Sequence, residues 1–174
     1  MFDNIKQDWK ANSKSINHAG FRTLVVYRFG RWRMKIKNKA LRAPVSFLYR
    51  QMEKHVRFKY GIELPYTVTL GQQVTFEHQH GIVIHGHSKI GDGCIIRQGV
   101  TIGNKSLDAP FDAPSIGASV NIGAGAKILG RVHIGNHAAI GANAVVTSDI
   151  PDYAVAVGIP AKVTKIQSPQ EQKL

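Results

Sequence analysis

The chain has only one cysteine, Cys94, in 174 residues. An intramolecular disulfide is therefore excluded, which fits a reducing compartment. Cys94 falls inside a regular repeat, described below, and this favours a small packing residue over a nucleophile. The sequence contains no run of about 18 apolar residues and no apolar signal-peptide core near Met1. Neither a membrane-spanning helix nor export is expected, so the cytoplasm is the predicted location.

Several common site signatures are also missing. There is no nucleophile elbow, no Walker loop and no dinucleotide fingerprint. Gly91-Asp-Gly93 and Gly123-Ala-Gly125 recur in phase with the repeat and are interpreted as corners of the chain. No metal site is predicted, because the clustered histidines lack a cysteine or a set of acidic ligands at a recognisable spacing. These histidines are His78, His80, His85 and His87.

The sequence does contain a six-residue repeat, in which a branched aliphatic residue is usually followed by glycine or another small residue. Neither the 3.6-residue period of a helix nor the two-residue period of a strand requires this spacing. A coil with three flat faces does, because one aliphatic side chain per face then points inward and stacks on the next coil. The pattern predicts a mainly β fold, a parallel β-helix solenoid. The repeat positions are Ile84, Ile90, Ile96, Ile102, Ile116, Ile122, Ile128, Ile134, Ile140 and Val146.

The repeat has two irregularities. A two-residue shift of phase separates Ile82 from Ile84, and the step from Ile102 to Ile116 is 14 residues long. The second interval contains two prolines and no phased aliphatic residue, so it predicts a loop extruded from the coil over 103–114. Insertions in repeat proteins collect on the binding face.

The chain is expected to have three parts. A helical segment at 1–61 precedes a β-helix domain at 62–166, and a polar tail follows at 167–174. The helical segment carries 15 lysines and arginines against three acids, whereas the remaining 113 residues carry eight of each. The formal charge of +12 therefore lies entirely in the N-terminal third.

Two amphipathic helices are predicted in this basic segment. The first has apolar residues in steps of three and four, and the second opens at Pro44 and stops near Gly61. Two interpretations remain open and are compatible: the helices cap the open end of the coil, or their basic and aromatic side chains meet an anionic membrane. Nucleic acid is not expected, because no recognised nucleic-acid motif is present. The stripe of the first helix is Phe21, Val25, Phe29, Trp32 and Ile36.

Among the histidines, His78 is distinguished by Glu63, which precedes it by 15 residues. Positions about one coil apart stack in a solenoid, so this carboxylate can hold the imidazole. A histidine paired with a carboxylate is the minimum apparatus of a general base, since the carboxylate fixes the tautomer and the free nitrogen takes the proton. His78 and Glu63 are the predicted catalytic pair.

Four stretches of the coil resemble the serine acetyltransferases, over about residues 62–166. The resemblance implies a left-handed parallel β-helix, a homotrimer and acetyl-CoA as the acetyl donor, bound between two subunits. It also implies that His78 is the catalytic histidine and that Glu63 is its partner. The stretches are Phe76-Glu-His-Gln-His-Gly-Ile-Val-Ile84, Arg97-Gln-Gly-Val-Thr-Ile-Gly-Asn104, Ile122-Gly-Ala-Gly-Ala-Lys-Ile-Leu-Gly130 and Val157-Gly-Ile-Pro-Ala-Lys162.

The same resemblance implies where acetyl-CoA binds. Gly103 and Asn104 are expected beside the thioester, Ala124 and Ala142 beside the pantetheine arm, and Lys162 near a phosphate.

The acceptor is less clearly indicated. The serine enzymes carry an Arg-His pair before the proline that ends the extruded loop, where this chain has Asp112 and Ala113 before Pro114. The short basic N-terminal segment is more similar to the colanic-acid-type exopolysaccharide O-acetyltransferases. The sequence therefore predicts acetylation of a sugar hydroxyl in capsule or exopolysaccharide synthesis, on an acceptor that is lipid-linked, polymeric or free. Serine O-acetylation in cysteine biosynthesis is the alternative.

Overall fold

The computed structural model of the protein describes residues 2–167. Within that range, three helices precede fifteen short strands. The helices are α1 (Phe2–Ala11), α2 (Ala19–Arg33) and α3 (Lys39–Tyr60). The strands are β1 (Ile62–Glu63), β2 (Thr69–Leu70), β3 (Thr75–Phe76), β4 (Ile82–Ile84), β5 (Lys89–Ile90), β6 (Ile95–Ile96), β7 (Thr101–Gly103), β8 (Ser115–Ile116), β9 (Asn121–Ile122), β10 (Lys127–Leu129), β11 (His133–Ile134), β12 (Ala139–Ile140), β13 (Val145–Val146), β14 (Ala154–Gly158) and β15 (Ala161–Ile166).

Up to β13, every third strand joins the same sheet, so the chain passes through three sheets in turn. Face A is β1-β4-β7-β10-β13, face B is β2-β5-β8-β11, and face C is β3-β6-β9-β12-β14-β15. All the pairings are parallel except that of β14 with β15. The predicted mainly β class with N-terminal helices is confirmed, and this strand order is consistent with the predicted β-helix.

The six-residue repeat is explained by columns of stacked aliphatic side chains. On face A, Ile84 pairs in register with Ile102, Ile102 with Ile128, and Ile128 with Val146. All four residues are 0–1% exposed. Burying such a side chain contributes about 1.5–3 kcal/mol, so the columns are the main source of stability for the coil.

Both irregularities of the repeat correspond to corners of the coil that contain additional residues. Thr75 and Val83 pair with Ile95 and Thr101, so the chain advances eight residues around the corner at 77–81 and only six in the next coil. On the neighbouring edge, eight extra residues lengthen the connection from β7 to β8, which forms the extruded loop at 104–114. The loop prediction began one residue earlier, at Gly103, which is the last residue of β7.

The apolar stripe predicted for α2 describes only part of its buried surface, which includes Phe21 at 8% exposure. Trp32 is 38% exposed, whereas Leu24 and Tyr27 are 0% and 2% exposed. The reason is that α2 contacts α1, α3 and β3, so the helix is buried on more than one side and a single stripe does not describe it.

The start of α3 also differs from the prediction. The helix begins at Lys39, where the side chain of Asn38 accepts hydrogen bonds from the N–H groups of Ala40 and Leu41. The helix therefore begins more than one turn before the predicted start at Pro44, and Pro44 lies inside it. The expected stop is confirmed, since Gly61 caps the helix in the left-handed conformation with φ at 60°.

Side chains from α2 and from the turn after α1 form hydrogen bonds with the unpaired backbone of the first coil. The Asn12 side chain donates to the carbonyl of Val74 and accepts from the N–H of Phe76. The Tyr27 hydroxyl donates to the carbonyl of Val68 and accepts from the N–H of Leu70. Each side chain thus supplies the donor and acceptor that a preceding strand would have supplied.

A buried ion pair fastens α1 and α2 to this end. Asp8 is 0% exposed, and its carboxylate accepts from the Arg28 guanidinium at 2.9 Å. Arg28 also donates to the carbonyls of Leu70 and Gly71. Two of the charges in the basic segment are therefore structural.

At the other end of the coil, β14 and β15 form an antiparallel pair. No helix within residues 2–167 is both long and apolar enough to cross a membrane. The predicted tail, apart from Gln167, lies outside the described residues. The division into domains stays a prediction.

Candidate active site on two edges of the coil

One edge of the coil lies between faces C and A, and we call it the C–A edge. It consists of residues 77–81, 97–100, 123–126 and 141–144. The successive corners are joined by backbone hydrogen bonds from Gly99 to His80 and from Gly125 to Gln98.

A column of glycines leaves part of this edge without side chains. Gly81, Gly99 and Gly125 all have φ at +73°, a conformation that other residues rarely adopt. A Cβ atom added to Gly81 or Gly99 would lie 3.3 Å from the Cα atom of the next glycine in the column. The edge therefore presents bare backbone along three coils. The sequence analysis missed this column, although its glycines follow the repeat.

His78 lies at the head of the C–A edge, in the long corner at 77–81. The two additional residues lengthen this corner, and His78, Gln79 and His80 are all exposed. The preceding residue, Glu77, accepts from Arg97 at 2.6 Å, which ties the corner to the next coil. An exposed imidazole at an anchored corner is accessible to a substrate that lies along the edge.

Glu63 lies in β1, the first strand of face A. It pairs in register with Val83, and the N–H of His80 donates to the carbonyl of Tyr60, so residues 80–83 stack on 60–63. His78 is two residues before this stacked segment. Within residues 2–167, no hydrogen bond joins the Glu63 carboxylate to the His78 imidazole. The catalytic pair stays a prediction.

The five residues predicted to hold acetyl-CoA fall in three places. Ala124 and Ala142 occupy successive corners of the C–A edge, below His78, and the N–H of Asn143 donates to the carbonyl of Ala124. Gly103 and Asn104 lie at the opposite side of face A, where the extruded loop begins. Lys162 is exposed in β15 on face C. The structure brings only the two alanines into line with His78.

The edge between faces A and B, the A–B edge, carries a pocket of about 310 Å³ beside the end of the extruded loop. Two permanent cations, Lys89 and Arg131, line it together with Asp149. The ring of Phe111 in the loop packs edge-on against His87 at 5.2 Å between centroids. The sequence analysis missed this cationic pocket, because its residues belong to different coils. The lining is His87, Lys89, Ala113, Pro114, Ser115, Arg131, Val132, His133 and Asp149.

Cys94 has the packing role that its repeat position predicted. Its side chain is 0% exposed, its thiol donates to the carbonyl of Gly117, and burial raises its pKa to about 11. Such a thiol is almost entirely protonated at neutral pH and is a poor nucleophile. No group of three or more potential metal ligands occurs in residues 2–167.

Comparisons with known proteins find relatives with the same kind of fold. Residues 113–148 match the family model described as bacterial transferase hexapeptide (six repeats). The chain is 34% identical over 146 residues to a serine acetyltransferase of Synechococcus elongatus. The aligned region covers 84% of this chain and 57% of that protein. It is 36% identical over 134 residues to a serine acetyltransferase of Staphylococcus xylosus, with coverages of 77% and 62%.

A solved structure of a serine acetyltransferase in complex with CoA superimposes with a TM-score of 0.73 at 31% identity. The superposition covers 86% of this chain and 58% of that one. The chain thus spans about half to just under two thirds of the length of these relatives.

These relatives overturn the prediction of a sugar acceptor, and the colanic-acid-type subtype is likewise not supported. That prediction treated the change to Asp112 and Ala113 as the loss of any cation able to hold a carboxylate. The structure supplies the physical reason for the error, because Lys89 and Arg131 line the pocket at the end of the same loop.

Proposed function

We propose that this chain is a hexapeptide-repeat acyltransferase and that it moves the acetyl group of acetyl-CoA to the hydroxyl of serine in the cytoplasm. The observation that carries the proposal is the C–A edge, where an exposed imidazole stands at the head of a column of bare backbone. The serine acetyltransferase relatives supply the substrate class.

The chemistry requires a base and a stabilised oxyanion. His78 removes the hydroxyl proton of serine while that oxygen attacks the thioester carbon. The carbon–sulfur bond then breaks, and the proton passes from the imidazolium to the departing thiolate. Glu63 supports the positive imidazole electrostatically, and backbone N–H groups of the coil steady the oxyanion.

The C–A edge is suited to an extended ligand such as the pantetheine arm of acetyl-CoA. Ala124 and Ala142 carry single methyl groups, and the glycine column beside them carries none. Gly103 and Asn104, which we assign to the thioester end, lie across face A from this edge within one chain. Lys162 is assigned to a phosphate by charge alone.

The cationic pocket on the A–B edge provides recognition for an amino-acid acceptor. Lys89 and Arg131 are suited to a carboxylate, and Arg131 can bind it with two parallel hydrogen bonds. Asp112, half-buried in the loop that ends at this pocket, is suited to the ammonium group of the same molecule. A zwitterionic acceptor therefore satisfies both signs of charge.

The acceptor is tested by following thiol release from acetyl-CoA with serine and with ethanolamine, which lacks the carboxylate. We expect serine to be much the better acceptor. Changing Arg131 to glutamine should raise KM for serine by about tenfold to a hundredfold, because a charged hydrogen bond is lost. The same change should leave the KM for ethanolamine nearly unchanged.

Lys14→Gln is the matched control, since Lys14 is exposed in the N-terminal segment and distant in sequence from both edges. Equal rates with serine and ethanolamine would contradict recognition of the carboxylate. Thiol release that depends on a sugar and not on serine would contradict the proposed acceptor altogether.

We further propose that the active site forms between subunits of a homotrimer with the left-handed sense of coil. The support is that face A separates the C–A edge from the A–B pocket in one chain, so that a second copy is required to bring them together. Leu107 and Phe111 on the extruded loop are 91% and 73% exposed, as expected of side chains that contact another subunit.

Light scattering at micromolar concentration should therefore report about three times the chain mass of 19.1 kDa. Changing Leu107 to lysine should weaken the assembly and reduce activity at low protein concentration, because a charge would be buried at the contact. Lys105→Arg, in the same loop, conserves charge and is the control. A monomer with full activity would contradict the shared site.

A further inference from the structure

The turn between α2 and α3 is the most basic part of the molecule. We define the basic turn as residues 31–42, which contain six lysines and arginines and no acid. Arg33 is the structural member of the set. Its guanidinium lies between the rings of Tyr49 and Tyr66, at 4.2 and 4.4 Å from their centroids, and it donates to Ser46. The turn is thereby fixed to α3 and to the first coil.

Four other cations of the basic turn point to solvent. Arg31, Lys35, Lys37 and Lys39 are all exposed. Within residues 2–167, none of the four lies within ion-pair distance of an acid. A cluster of unpaired cations requires an explanation other than folding, because like charges repel one another.

Apolar side chains are exposed among these cations. Trp32, Met34 and Leu41 are 38%, 43% and 65% exposed, although each would normally be buried. Leu48 continues this surface two turns further along α3 and is 53% exposed. Cations interleaved with an exposed tryptophan and aliphatic groups are the composition of a surface that enters the headgroup region of a bilayer.

We propose that the basic turn docks the protein on an anionic membrane surface. The four free cations would meet lipid phosphates, while Trp32, Met34 and Leu41 would enter the boundary with the acyl chains. Charge complementarity carries the choice of partner, and the exposed apolar groups favour a bilayer over nucleic acid, whose backbone offers them nothing to enter. The turn lies beside the first coil, where Arg33 contacts Tyr66.

The test is co-sedimentation of the whole chain with phosphatidylcholine vesicles, with and without phosphatidylglycerol. We expect binding only when the anionic lipid is present, and weaker binding in saltier buffer because the charges are screened. Changing Arg31, Lys35, Lys37 and Lys39 together to glutamine should weaken binding by about fivefold per cation, on the order of hundreds-fold in total. These residues lie outside the proposed active site, so acetyl transfer in solution should be retained.

The matched control removes four exposed lysines elsewhere in the basic segment: Lys6, Lys10, Lys14 and Lys54. It carries the same net charge as the test variant and should bind vesicles much more tightly. Insertion is followed in a Trp9→Phe protein, in which Trp32 is the remaining tryptophan. Its emission should shift to the blue on anionic vesicles.

Equal losses in the two charge variants would overturn the proposal, because only the net charge would then matter. Binding that ignores phosphatidylglycerol would also overturn it, as would tight binding of duplex DNA or RNA by a protein that does not bind vesicles. None of these measurements uses acetyl transfer, so the proposed activity and this inference succeed or fail separately.

Discussion

Changing His78 to alanine is expected to lower kcat by about two to four orders of magnitude, which is the usual contribution of a general base. The fold should be unaffected, because the side chain is exposed and makes no hydrogen bond within residues 2–167. Steady-state thiol release with saturating serine and acetyl-CoA measures the effect, and circular dichroism checks the fold.

His80 is a close control, since it is an exposed histidine in the same long corner. His80→Ala should retain most of the activity. Glu63→Gln should cost less than the loss of His78, because the shape of the side chain survives and only its charge support is lost. If His78→Ala retains wild-type turnover, or if His80→Ala is the damaging change, His78 is not the base.

Changing Asp8 to alanine should reduce the free energy of unfolding by about 3–5 kcal/mol. The change leaves the guanidinium of Arg28 buried at 7% exposure with only carbonyl partners and no compensating charge. Denaturant titration measures the loss, and protein concentration must be held constant because assembly affects apparent stability.

Asp3→Ala is the matched control, because Asp3 lies in the same helix and is exposed. It should change the free energy of unfolding by no more than about 0.5 kcal/mol. An equally small effect at Asp8 would mean that the ion pair does not fasten α1 to α2.

The coil was predictable from the sequence because each of its faces is short and uses one inward residue. Ile102 and Ile128 pair in register although the extruded loop between them interrupts the six-residue spacing, because their side chains stack in one column. The stop at Gly61 was predictable for a similar local reason, since a left-handed cap favours glycine.

The helices and the pocket were harder to predict because they depend on contacts between distant segments. Trp32 lies on the apolar stripe of α2, yet the three-sided packing of that helix decides which residues are buried. Lys89 and Arg131 line one pocket although they belong to different coils, because β5, β8 and β11 stack in register on face B. A change at Asp112 could not reveal cations located on other coils.

The side chains of Asn12 and Tyr27 also have a consequence for how the molecule can grow. A stack of parallel strands with an open end can add further strands without limit, as fibres do. Here the donors and acceptors of Val68, Leu70, Val74 and Phe76 are already used. End-to-end addition of strands is therefore blocked at the first coil.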